Sequence, residues 1–220
     1  MELKRHNDFI NESKNKQWVV GIFTVDAEMV KDGKFIEGKI PDVVTSEFTC
    51  SDLGLTTLEG GPFKVNGDYY CNNNKLTDLK GSPSTSRYFI CDNNALTTLE
   101  GSPIETKFGF HCKNNKLTSL KGGPKIVGLQ LYVDNNELTS LEGAPLKVGG
   151  NITTEGNASD LSIERNFIWT KNRTDNYWIE LLNYCVSKGY DLNTSKVNWP
   201  KGFLTDSMIK SAKGISKYKL

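Results

Sequence analysis

Five leucine pairs recur along the chain at nearly constant spacing, and no other feature constrains the fold as tightly. They are Leu55 and Leu58, Leu76 and Leu79, Leu96 and Leu99, Leu117 and Leu120, and Leu138 and Leu141, in steps of 21, 20, 21 and 21 residues. A proline follows each second leucine by four positions: Pro62, Pro83, Pro103, Pro124 and Pro145. Upstream of each pair comes a large apolar residue, a spacer and a cysteine: Phe48 and Cys50, Tyr69 and Cys71, Phe89 and Cys91, Phe110 and Cys112. Leu131 and Val133 take these places in the fifth unit, and Ile152 and Thr154 begin a sixth half-unit. Asn74, Asn94, Asn115, Asn136 and Asn157 each stand three residues past the cysteine position, where the first unit has Leu53. A chain built this way stacks its units, each burying a narrow apolar strip against the next. The low hydrophobic content of 37% fits so thin a core.

The unit reads F-x-C-x-x-N-x-L-T-x-L-x-G-x-P, and each residue type has a physical reason. The F-x-C alternation predicts a short parallel strand with both side chains inward. The asparagine carboxamide can bond backbone groups of adjacent coils where the chain leaves the sheet. The leucines fill the coil, and glycine and proline permit an extended return on the opposite side. The cysteines, 20–21 residues apart, would stack in a line rather than surround a metal, so they read as buried thiols. Cys185 stands apart in a predicted helix.

The unit resembles the leucine-rich repeat, L-x-L-x-x-N-x-L, in its short bacterial form. The wording LTSLEGAP followed by VGG resembles repeat proteins carried by large tailed bacteriophages. The fold expected is an α/β-type repeat: a short leucine-rich-repeat solenoid over residues 43–160, with a parallel sheet on its concave face. Residues 1–17 are expected to be a flexible arm or leader. Residues 18–42 are expected to form an N-terminal β-hairpin cap, from the β-rich Trp18–Val25 and the Asp32-Gly33 turn signal. Residues 161–220 are expected to form a C-terminal helical cap, with one helix starting near Asp175 and another over about Thr205–Ala212, and Trp169, Trp178 and Trp199 sealing the last coil.

Strand spacers should point to the concave face. Thr49, Tyr70, Ile90, His111, Tyr132 and Thr153 would form its midline, an aromatic stripe and the candidate partner-binding site with Asp68, Asp92, Lys113 and Asp134. Glu47 and Glu155 add to an acidic rim, which suits a protein partner with a basic surface. On the opposite side Glu59, Lys80, Glu100, Lys121 and Glu142 alternate in sign, a structural ladder in which stacked neighbours attract. Net charge is +1, which argues against nucleic acid as the partner. The six lysines after position 195 read as a solvated face. No apolar run is long enough for a membrane span, and the N-terminus lacks the apolar middle of a signal peptide. No cofactor or metal site is expected, and no catalytic motif is present.

These readings imply a non-enzymatic module that binds a protein through its concave face. By the resemblance it would be phage-encoded, acting in the host cytoplasm as an inhibitor of a host protein such as a defence factor. The alternative is a structural or internal virion protein. KRHNDFINES resembles the leader by which some such phages package internal proteins, with Ile10-Asn11-Glu12 matching the prohead protease site. A weaker alternative places an enzymatic or effector activity in residues 161–220. The sequence leaves the oligomeric state open.

Overall fold

The computed structural model describes residues 18–161 and Arg165. Residues 18–161 wind into a β-solenoid of seven stacked coils, each contributing a short strand to two parallel columns. In the second column the inward residues are Phe23, Phe48, Tyr69, Phe89, Phe110, Leu131 and Ile152, all in direct register. The first column carries Val19–Val20, Val43–Val44, Lys64–Val65, Thr85–Ser86, Glu105–Thr106, Ile126–Val127 and Lys147–Val148.

The one 20-residue step has a structural counterpart. Coils 1–3 pair in the first column as a three-stranded sheet, and coils 4–7 pair separately. Coil 4 is one residue short in the corner between the columns, so its backbone runs straight through as the strand Thr85–Ile90. Coil 5, Glu105–His111, takes up the mismatch as a bulge between Thr106 and Gly109.

The core is a set of single-residue ladders. Phe48, Tyr69, Phe89 and Phe110 stack at centroid separations of 5.0, 5.0 and 5.7 Å. Cys50, Cys71, Cys91 and Cys112 are fully buried free thiols, and burial raises the pKa of each. The thiol of Cys91 donates to the His111 carbonyl at 3.2 Å, a further anchor to the next coil. All ten repeat leucines are buried to 1% exposure or less.

Two asparagine ladders hold the turn after the second column. The inner one is the predicted set. Asn94 donates to the carbonyls of Cys71 and Cys91, both at 3.1 Å, while its Oδ1 accepts the Leu76 N–H at 3.0 Å. Asn74, Asn115 and Asn136 repeat the pattern. The outer ladder comprises Asn73, Asn93, Asn114 and Asn135, all with φ between 53° and 56°. Asparagine tolerates this left-handed conformation better than most residues. The outer side chains bond one another from coil to coil at 2.7–2.8 Å.

Two expectations need correction. The α/β-type repeat class does not hold: residues 18–161 contain fourteen strands and a single 3-10 turn, Ala27–Met29, with no α-helix. The return segments are too short and too interrupted for one. Between Leu76 and Pro83 the chain already contains Gly81 at φ +93°, where an added Cβ would lie 2.3 Å from the Leu58 carbonyl carbon. The segment can turn tightly against the coil below but cannot wind. The C-terminal helical cap is not shown: of its residues only Leu161 and Arg165 are described, joined by an Arg165 N–H to Leu161 carbonyl bond at 2.8 Å, and the rest lie outside the described ones, as do residues 1–17.

At the front, Val19–Val20 and Phe23–Thr24 join both columns as a coil of their own, paired in parallel to coil 2. An antiparallel hairpin, Val30–Lys31 with Lys34–Phe35, turns at Asp32 and Gly33, both with positive φ. This inserted hairpin accounts for the longer step of 25 residues from Phe23 to Phe48.

Candidate functional site

Side chains in the second column alternate between core and solvent, so a one-residue spacer between inward groups must face outward. Thr49, Tyr70, Ile90, His111, Tyr132 and Thr153 lie side by side in that outward column, in direct register and half-buried. Tyr70 and Tyr132 are three coil steps apart, about 15 Å at strand spacing.

The aromatic contacts are concentrated in coils 4–6 and run diagonally across the face. Tyr132 stacks on His111 with centroids 4.4 Å apart and planes 20° from parallel. Tyr88 meets His111 edge-on at 6.0 Å and Phe108 at 5.5 Å. Cations mark both ends of this ribbon. Arg87 and Lys107 lie 5.2 and 5.6 Å from the Phe108 centroid, and the Lys113 ammonium lies 4.5 Å from that of Tyr132. Such contacts favour a cation over a ring face by about 0.5–1 kcal/mol at exposed sites.

Gly109 lets the ribbon close. A Cβ there would sit 2.7 Å from Tyr88 Cδ1 and 2.9 Å from His111 Nε2, so the two rings occupy the space of the missing side chain. His111 Nε2 is buried there without a hydrogen-bond partner. Burial lowers the His111 pKa, the Gln130 side chain opposes that shift, and the Lys113 charge adds to it. Tyr70 stands apart from the ribbon; burial raises its pKa, as do the neighbouring charges of Asp68 and Glu47.

The acids of the predicted rim are largely committed to holding coils together. Asp68 accepts the Tyr88 N–H at 3.2 Å and pairs with Arg87 at 3.8 Å. Asp92 accepts the Lys113 N–H at 2.6 Å; burial raises its pKa, and Lys113 opposes the shift through its N–H and its charge. Asp134 accepts the Glu155 N–H at 2.9 Å and the Thr153 hydroxyl, with Lys113 Nζ at 4.0 Å. Thr49 bonds Glu47 at 3.3 Å. Asp68, Asp92 and Asp134 thus act as inter-coil acceptors, whereas Glu47 bonds within its own coil.

The spacer rule found the midline but missed Tyr88, Phe108, Arg87 and Gly109, which occupy the corner just before the inward phenylalanines. Two signals marked them in the sequence: the 20-residue step that removes one corner residue, and the glycine beside Phe110 where other coils carry a side chain. The face offers rings, an amide and fixed charges, while the cysteines beneath it are sealed in the core. Such a surface can recognise and hold another molecule. Among the described residues no group of three or more His, Cys, Asp or Glu side chains could hold a metal ion. Nor is any helix among them long and apolar enough to cross a membrane. No protein-family model, curated protein or solved structure matches this chain.

Proposed function

We propose that this β-solenoid is a non-enzymatic binding module that holds a protein partner on the outward face of its second strand column. The ribbon of Phe108, Tyr88, His111 and Tyr132, with cations at both ends, carries the reading. Contiguous, partly exposed aromatic rings on a rigid sheet are the usual centres of protein interfaces. The face mixes charge signs, so selection for a basic partner would rest on its carboxylates, Glu47, Asp68, Asp92, Asp134 and Glu155, outweighing Lys113 and Arg87.

The leucine-rich-repeat and phage resemblances supply the biological setting of the proposal: a phage-encoded protein acting in the host cytoplasm and inhibiting a host protein. Affinity capture from bacterial lysate tests it. Wild type should retain a specific protein that Tyr70→Ala/Tyr132→Ala loses and that Lys80→Ala/Lys121→Ala retains. Loss with the lysine variants and retention with the tyrosine variants would move the interface to the return side.

A second reading, an internal virion protein, is favoured by the Ile10-Asn11-Glu12 motif. Mass spectrometry of purified virions tests it, since a processed chain would begin at Ser13.

A further inference from the structure

The residue after each repeat proline alternates in character along the solenoid. Phe63, Ile104 and Leu146 follow Pro62, Pro103 and Pro145, whereas Ser84 and Lys125 follow Pro83 and Pro124. The three apolar side chains are 55%, 64% and 66% exposed. The backbones of Ser84, Ile104, Lys125 and Leu146 form one continuous ridge through coils 4–7: Ile104 N–H donates to Ser84, Lys125 to Ile104 and Leu146 to Lys125, at 2.8–2.9 Å, with Phe63 in coil 3 across the break in the first column. Ile126, at 37% exposure, follows Lys125 in coil 6 and is less exposed than the three knobs, while Leu129 lies away from the ridge, its N–H bonded to the Phe108 carbonyl at 2.6 Å.

The charge ladder alternates in the same phase. Glu59, Glu100 and Glu142 lie four residues before the three apolar knobs, and Lys80 and Lys121 lie four before the polar gaps. The surface therefore repeats every two coils, with knobs about 10 Å apart at strand spacing. Single exposed apolar residues need no explanation. A comb of them, phased with charge, is a pattern that a matching comb would complement.

We propose that this ridge is a self-association surface, on which two copies pair antiparallel about a two-fold axis. Knobs occupy coils 3, 5 and 7, and gaps occupy coils 4 and 6. Any antiparallel pairing that faces one knob coil with a gap coil does so for every coil in the overlap. The same offset sets the glutamates of one copy against the lysines of the other. Unshifted pairing would instead oppose knob to knob and like charge to like. Interdigitation and charge complementarity thus favour the offset pairings, coils 3–6 or coils 4–7 of each copy, over the unshifted one, and a second copy is the partner that carries this period. The contact is isologous and closes at two copies. The bonded ridge spans only about 14 Å from Ser84 to Leu146, which corresponds to a small interface and a weak, reversible dimer. The ridge borders the first strand column, so the ribbon stays free and this proposal stands apart from the function proposed above.

Sedimentation velocity of the full chain from about 1 to 300 µM, the range in which micromolar association is visible, tests it. The wild type should shift from monomer to dimer with concentration, and added salt should weaken the shift. Ile104→Asp and Leu146→Asp should each raise the dissociation constant at least about tenfold, with unchanged circular dichroism because both side chains are exposed. Tyr132→Ala should dimerise as wild type does. A wild-type monomer throughout that range, a dimer indifferent to both aspartate variants, or a dimer lost in Tyr132→Ala would each overturn the proposal. A monomer that instead captures an unrelated protein through Ile104 would do the same.

Discussion

Replacing Asn115 with alanine removes four hydrogen-bond contacts, one amide N–H being shared between two carbonyls, from a side chain only 8% exposed. Its Nδ2 donates to the carbonyls of Cys112 and Lys113 at 3.1 Å and of Cys91 at 3.2 Å, and its Oδ1 accepts the Leu96 N–H at 2.9 Å. The Lys113 carbonyl keeps its bond from Asn93 N–H at 2.9 Å. What remains stranded is the N–H of fully buried Leu96 and part of the acceptor capacity of two buried cysteines. A stranded buried N–H costs about 1–3 kcal/mol, and under-used carbonyls cost less. The expected loss is about 2–4 kcal/mol, or roughly 4–16 °C in Tm for a chain of this size. Urea titration followed by circular dichroism measures it. The control is Asn114→Gly, next door in the outer ladder. It loses only exposed side-chain bonds to Asn93 and Asn135 and keeps a residue suited to φ 53°. Its cost should fall below about 1 kcal/mol. Equal losses in the two variants would refute the assignment of inter-coil cohesion to the inner ladder.

Three further outcomes follow. Gly101→Ala should destabilise by more than about 2 kcal/mol in the same assay, because it combines φ +88° with a Cβ placed 2.5 Å from the Lys80 nitrogen; wild-type stability would contradict the tight turn. Native protein should react slowly with a thiol reagent at Cys71, Cys91 and Cys112, since burial both raises their pKa values and blocks access; rapid labelling without denaturant would contradict the core ladder. Burial lowers the His111 pKa from its ordinary 6.5, so below that value the unfolded chain takes up the proton first. The contribution of the neutral ring to stability should be full above about pH 6.5 and decline as pH falls towards the folded value. An NMR titration of His111 with a midpoint above 6.5 would reverse the sign.

The coil ladders were legible because each carries a distinct residue type at a fixed offset: Phe, Cys, Asn, Leu and Pro each mark one point of the turn. The first strand column was not, because its inward residues change from Val44 and Val65 to Ser86 and Thr106 and back to Val127 and Val148. Two-residue strands of mixed polarity leave no periodicity to read. Trp18–Val25 was recognised as β-rich, but without the leucine and proline markers nothing showed that it adds a full coil. The α/β-type class does not hold because the return chain, with a positive-φ glycine and a proline within eight residues, leaves no room for a helix. At the candidate site the midline followed from alternation alone, whereas the ribbon depends on a deletion in one coil and a missing side chain in the next. Such departures from a repeat are the places where a repeat protein acquires an individual surface.

Site-specific photo-crosslinking tests the central functional claim most directly. A crosslinking amino acid placed at Tyr132, beside His111 and Lys113, is compared with one at Lys121 on the return side, where the side chain pairs with Glu142 at 2.9 Å. After irradiation in bacterial lysate, the proposal predicts one discrete protein adduct from position 132 and none from position 121. An adduct formed at position 121 and absent at position 132 would contradict it.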